Sequence, residues 1–193
     1  MDFVFENMVA INFINLDKAH ACEVLEARNA VGEFMLTNRK ISKAEHFRFI
    51  DSLRNNKNNA YFAVYEKDSK IAESRLDSAD FADSALSTNE ANSQNLRGVI
   101  CFNSIDLANK NACFGIYSNG KNNGAKLLQI LRFIAFEGLN LHILYAKVLS
   151  TNARAIRFYK KNGFVRCGVL PEALRRDDKF IDLEIWALKN NAK

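Results

Sequence analysis

The chain has 193 residues, 48% of them hydrophobic and 25% charged, with a formal net charge of +5. That composition excludes global disorder, collagen-like repeats and a coiled coil, and the length suits one domain with some chain to spare. No apolar run approaches the roughly 18 residues of a membrane span, and the positive charge favours an anionic partner without choosing between nucleic acid and a phosphorylated cofactor.

The first residues, Met1 to Glu6, lack a basic n-region and a small-residue cleavage site, so no signal peptide is expected and a cytoplasmic location is. Val9–Ile14 is apolar and β-prone and predicts the first strand. Asp17 then reads as the N-cap of a helix whose Ala19, Ala21, Cys22, Val24, Leu25 and Ala27 share one face. After a polar break at Asn29–Lys40, Ser42 and Glu45 form a capping box that opens a second helix carrying Phe47, Phe49, Ile50 and Leu53. Tyr61–Tyr65 predicts the next strand, after a turn at Asn55–Asn59.

Asp68–Asn95 breaks this pattern. It is rich in Ser, Ala, Asp and Asn, holds one aromatic, Phe81, and is too long for an ordinary connection. It reads as a mobile insertion with one short helix near Asp77–Leu86, either a lid over a substrate or a solvated loop. Val99–Ile105 and Ala112–Tyr117 follow as strands joined by a turn at Asp106–Asn111. The second half alternates: helix Gly124–Glu137, strand His142–Leu149, helix Asn152–Lys161, strand Phe164–Leu170 ended by Pro171, and a last strand Lys179–Leu188. The expected fold is therefore α/β: a mixed sheet of seven strands flanked by helices, in one domain spanning residues 1–193.

The cysteines (Cys22, Cys101, Cys113, Cys167) form no Cys-x-x-Cys pair and read as buried thiols. The three histidines give no metal spacing, so no metal is expected. Two other patterns carry chemistry. In the first, a strand ending Phe114-Gly115-Ile116-Tyr117 enters a helix through Ser118 to Lys126. A turn rich in glycine and asparagine leaves backbone N–H groups unpaired at a helix start, where they cradle anions, and Lys121 and Lys126 add charge. The Gly-Lys-Ser/Thr ending of a Walker loop is absent. The second pattern is Asn152-x-x-Ala155-x-x-Phe158-Tyr159-x-x-x-Gly163-Phe164. Asn152 caps a helix, Ala155 allows close packing and Gly163 ends the helix. Tyr159, two turns past Asn152, shares its face and offers a phenolic proton.

In this order and about 28 residues apart, the two patterns resemble the GCN5-related N-acetyltransferase (GNAT) superfamily. The first is similar to its Arg/Gln-x-x-Gly-x-Gly/Ala loop for the coenzyme A pyrophosphate, with Lys121, Gly124 and Lys126 at the marked places. Both lysines depart from that pattern. The second matches the superfamily's Asn-x-x-Ala-x-x-x-Tyr-x-x-x-Gly-Phe signature. Arg28-Asn29, Phe34-Met35, Ile41 and Glu45-His46-x-x-Phe49-Ile50 resemble one branch, which contains the acetyltransferases of ribosomal-protein N-termini and the sugar-nucleotide acetyltransferase of pseudaminic acid synthesis.

The resemblance implies a mixed, mostly antiparallel GNAT sheet with four flanking helices, acetyl-CoA as co-substrate, and direct transfer to an amine without an acyl-enzyme. The acceptor it implies is the 4-amino group of a UDP-linked amino-dideoxy sugar, as in flagellin glycan synthesis. A protein N-terminus is the alternative acceptor, and a catalytically silent basic module on the same fold the non-enzyme alternative. No nucleic acid or membrane partner is expected, and a homodimer stays open. By resemblance, Gly115, Ile116, Tyr117 and Ser118 form a bulge whose N–H groups meet the thioester and pantetheine. Lys121, Asn122, Asn123, Gly124, Ala125 and Lys126 take the pyrophosphate, Asn152 steadies pantetheine or the tyrosine helix, and Tyr159 is the general acid for the thiolate. Arg28 and His46 suit the nucleotide's phosphates and Met35 and Phe49 its base, although such residues more often serve packing.

Overall fold

A computed structural model describes residues 1–66 and 96–191. The predicted insertion Asp68–Asn95, with its short helix, lies outside the described residues. Eight strands form one sheet: β1 (Phe3–Phe5), β2 (Met8–Asn12), β3 (Ala60–Glu66), β4 (Leu96–Asp106), β5 (Asn111–Ser118), β6 (Ile143–Leu149), β7 (Val165–Arg176) and β8 (Lys179–Lys189). Their order is β1-β2-β3-β4-β5-β6-β8-β7, and every neighbouring pair is antiparallel except β5–β6. The described α-helices are α1 (Lys18–Ala30), α2 (Lys43–Leu53), α3 (Gly124–Phe133) and α4 (Ala153–Lys161). None of the described helices is long and apolar enough to cross a membrane.

The sheet is covered on both faces, which follows from side-chain alternation. In β2 and β3, Met8, Ala10, Phe62 and Val64 join the core beneath α3 and α4, while Val9, Ile11, Ala63 and Tyr65 join the core beneath α1 and α2. The predicted caps hold: Asp17 accepts from the His20 N–H, and Ser42 and Glu45 close a reciprocal capping box.

Three boundaries differ from expectation. The N-terminal strand β1 is additional, because Glu6 adopts φ 53° and closes a two-residue hairpin that pairs Phe5 with Met8. No glycine signals that turn. The strand predicted at Val9–Ile14 gives way at Phe13 to a 3₁₀ turn, where the Asn12 side chain accepts from the Ile14 N–H. Pro171 does not end β7, which runs on to Arg176. β7 is an edge strand, where proline forfeits no ladder bond, and the register shift between Leu170 and Leu174 absorbs it. Against the expectation of four buried thiols, Cys22, Cys101 and Cys113 are half-buried, and Cys167, on the largely exposed β7, is exposed.

Candidate active site

β5 and β6 are parallel but pair over three residues only, ending at Cys113 and Tyr145. Beyond that point Phe114–Ser118 and Ala146–Leu149 separate, and the backbone of β5 facing β6 loses its strand partner. A cavity of about 580 Å³ opens from this splay. Gly115, Ile116, Tyr117, Asn152 and Tyr159 line one part of it, and Arg28, Met35, His46 and Phe49 line another. Residues separated by more than 100 positions thus share one cavity.

The bulge implied at Gly115–Ser118 is absent. The β4–β5 ladder is regular from Phe102↔Phe114 to Gly98↔Ser118. The irregularity sits in β4 instead, where the β3–β4 register shifts beside Gly98. Gly98 adopts φ 153°, and a Cβ there would lie 2.3 Å from the Tyr117 carbonyl oxygen. Opposite Gly115, a Cβ would meet the Cys101 sulfur at 2.8 Å. Both glycines permit close approach between β4 and β5, and Gly115 lines the cavity.

Tyr159 is held by the end of its own helix. The Gly163 N–H donates to the Lys160 carbonyl and the Phe164 N–H to the Tyr159 carbonyl, with Gly163 at φ 82°. This is a Schellman motif, and its apolar contact is Tyr159 against Phe164, with ring centroids 5.2 Å apart. Phe114 packs edge-on at 5.7 Å. The Tyr159 hydroxyl has no hydrogen-bond partner among the described residues, and burial pushes its pKa well above the usual value, so it stays protonated. Asn152 caps the same helix, its Oδ1 accepting from the Ala155 N–H at 3.0 Å.

At the loop after β5, the Asn119 N–H and Nδ2 donate to the carbonyls of Arg97 and Leu96, and the Asn123 Nδ2 donates to the Asn119 carbonyl. Asn123 has a helical backbone rather than the extended one of a capping residue, so α3 starts without a side-chain cap and its first N–H groups stay open to an anion. Lys121 is exposed. Lys126 pairs with Glu66 at 3.4 Å, and Glu66 also binds Arg97. The loop is therefore fastened to both strands that flank residues 67–95.

On the acceptor side, Arg28 is buried, and its guanidinium donates to the carbonyls of Thr37 and Arg39, both at 2.6 Å. It clamps the cavity rim, and a phosphate there competes with two backbone acceptors. His46 is buried with Nε2 unpartnered, and burial, reinforced by the Arg28 charge, lowers its pKa and keeps it neutral. Phe49 is 37% exposed at the rim, edge-on to Tyr61. The one carboxylate lining the cavity among the described residues is Glu45. The Ser42 N–H and hydroxyl and the Arg39 guanidinium hold it down at about 2. Cys101 and Cys113 also line the cavity. Burial pushes Cys101 up to about 12 and raises Cys113 against the pull of Lys147, so neither is a ready nucleophile.

The sequence reading missed Tyr61, Asn103 and Lys147 on the cavity wall. A tyrosine in an apolar strand and a lysine alternating outward look like ordinary packing and solubility, and only the closing of the sheet around the splay brings them together.

Residues 41–164 match the Acetyltransferase (GNAT) family. The chain is 27% identical to the acetyltransferase PseH of Campylobacter jejuni over 157 residues, covering 79% of this chain and 82% of PseH. The crystal structure of C. jejuni N-acetyltransferase PseH matches with a TM-score of 0.64 at 22% identity, over 96% of this chain and 100% of that one. Spermidine N-acetyltransferase of Vibrio cholerae, solved with CoA and spermine, matches with a TM-score of 0.73 at 18% identity, over 95% of each chain. Both solved structures share the overall fold. Since the family match spans more than half of its length, this protein belongs to the GNAT acetyltransferases.

Proposed function

We propose that the protein transfers the acetyl group of acetyl-CoA directly to the amine of a UDP-linked amino sugar. One observation carries this reading: the splay of β5 and β6 and the cationic, aromatic acceptor cluster open into the same cavity. Two co-substrates bound there together need no acyl-enzyme. The free amine attacks the thioester carbonyl, forming the new C–N bond. Backbone N–H groups in Gly115–Ser118 stabilise the oxyanion, an effect of a few kcal/mol in comparable sites. Collapse breaks the C–S bond, the thiolate takes the Tyr159 proton, and the amine's surplus proton leaves to water, from which the Tyr159 phenolate is reprotonated. The loop from Lys121 to Lys126 receives the donor's pyrophosphate. Asn152 positions α4.

The identity to PseH supports the sugar-nucleotide branch. Cavity charge supports it independently. Arg28 and Lys147 line the wall, and Arg39 neutralises Glu45 at 2.8 Å. A polyamine, the ligand of the V. cholerae neighbour, needs the opposite lining. The test offers the enzyme acetyl-CoA with a UDP-4-amino-4,6-dideoxy sugar, spermidine, or a peptide with N-terminal Ser, and follows thiol release. The sugar should exceed the others in kcat/KM by at least 100-fold. A higher value for spermidine or the peptide refutes the proposed acceptor.

A further inference from the structure

Tyr61 stands on β3 with its ring edge-on to Phe49, centroids 4.9 Å apart, and tilted against Phe13 at 5.6 Å. Its hydroxyl donates to the Asn103 Oδ1 at 2.6 Å, and the Asn103 Nδ2 points to the Cys101 sulfur at 3.5 Å. Cys101 in turn packs against Gly115. These six residues run across the cavity wall from the acceptor rim to the donor strand, and all of them line it.

A phenol has one proton and two lone pairs. The Tyr61 proton is committed to Asn103. Asn103 is itself oriented, because its NH₂ faces the sulfur and its oxygen faces the phenol. Burial keeps the phenol protonated. The Tyr61 oxygen therefore turns only lone pairs to the cavity. Arg28, Arg39 and Lys147 bring positive charge to the same wall, with Arg39 offset by Glu45, so the wall has two polarities: cations and a fixed neutral acceptor.

We propose that Tyr61 Oη is a specificity-determining acceptor that receives an N–H or O–H of the acetyl-accepting substrate, and that Asn103 is the positioning residue that fixes its polarity. The substrate class is a polar ring or chain that carries hydrogen-bond donors near its amine, as a hydroxylated amino sugar does. A carbonyl or ether oxygen at that place meets lone pairs and is rejected, since unpaired buried acceptors discriminate strongly. The inference rests on the acetyltransfer reading of the cavity but not on the nucleotide.

The experiment uses the full chain and the best acceptor of the three-substrate panel. Tyr61→Phe keeps the ring and removes the oxygen. Its acceptor KM should rise about 3–10-fold, the effect of one lost hydrogen bond, with kcat and the acetyl-CoA KM within about twofold. Asn103→Leu releases the Tyr61 proton into the cavity. It should also raise the acceptor KM, whereas Asn103→Asp retains an oxygen for that proton and should raise it less than Asn103→Leu does. An unchanged acceptor KM in Tyr61→Phe, or equal effects of Asn103→Leu and Asn103→Asp, overturns the assignment while leaving acetyltransfer intact. Wild type that releases no thiol with any acceptor overturns the acetyltransfer reading and this inference together.

Discussion

Replacing Tyr159 by Phe separates chemistry from architecture because the structure uses the ring and the hydroxyl for different things. The ring packs against Phe114, Phe158 and Phe164, with centroids 5.7, 5.9 and 5.2 Å away, and Phe preserves all three contacts. The hydroxyl has no hydrogen-bond partner among the described residues, so its loss strands no protein group. The stability change should stay below about 1 kcal/mol, or about 2–4 °C in Tm for a chain of this size. Activity should respond very differently. Losing a general acid costs about 10²–10⁴ in kcat, which is about 2.7–5.5 kcal/mol of barrier. Steady-state thiol release with saturating acetyl-CoA measures kcat, and calorimetry measures acetyl-CoA binding, which should be unchanged. Because burial holds the Tyr159 pKa above its usual value, the wild-type rate should show no tyrosine deprotonation up to about pH 9, and its rise with pH reports the acceptor amine. A variant with kcat within threefold of wild type refutes the acid role. One that loses activity together with more than about 5 °C in Tm refutes the claim that the hydroxyl is structurally idle.

Three further outcomes follow from the same geometry. Gly98→Ala should lower stability by at least about 2 kcal/mol in urea unfolding, because the new Cβ falls 2.3 Å from the Tyr117 oxygen and 2.6 Å from a Leu127 methyl at a left-handed φ; a change under 1 kcal/mol contradicts the close approach. Asn119→Ala removes the side-chain tie to Leu96 and should raise the acetyl-CoA KM about fivefold at constant kcat, the equivalent of one hydrogen bond, whereas an unchanged KM removes the loop from donor binding. Burial, with Glu26 adding and the Tyr65 hydroxyl opposing, holds the Glu23 carboxyl up at about 7 against an ordinary 4.5. The folded state thus binds this proton more tightly, and the stability it contributes is present below about pH 4.5 and lost as pH rises through 7. Glu23→Gln should flatten that loss, by about 1 kcal/mol at pH 8 once solvent screening is allowed for; an unaltered pH slope of unfolding free energy between pH 4.5 and 8 would contradict this.

Local chemistry explains what was legible. The capping box at Ser42 and Glu45, the Asp17 cap and the Gly163 stop are decided within four or five residues, and each appears where the residues require it. The same holds for the alternation that gives β2 and β3 two apolar faces. The Glu6 hairpin escaped because a non-glycine residue took a left-handed turn. The run of β7 through Pro171 escaped because only the strand order reveals that β7 is an edge. Arg28 is a candidate phosphate ligand by its charge, which the sequence displays, whereas its carbonyl partners at Thr37 and Arg39 are visible only in the fold. Lys126 likewise reads as a cofactor contact from its charge, and its pairing with Glu66, 60 residues away, is visible only in the fold.

By itself, the sequence determined the order and type of the principal elements, the family, the helix that carries Tyr159 and the loop that leaves N–H groups free. Those properties depend on backbone preferences and hydrogen bonds between near neighbours, which residue identity specifies directly. Only the tertiary structure decided that β5 and β6 part after three pairs, that the distortion lies at Gly98 rather than in Gly115–Ser118, and that Tyr61 spends its proton on Asn103. These depend on which strands become neighbours and on how far their side chains let them approach. That distance is a property of packed pairs, and no single residue carries it.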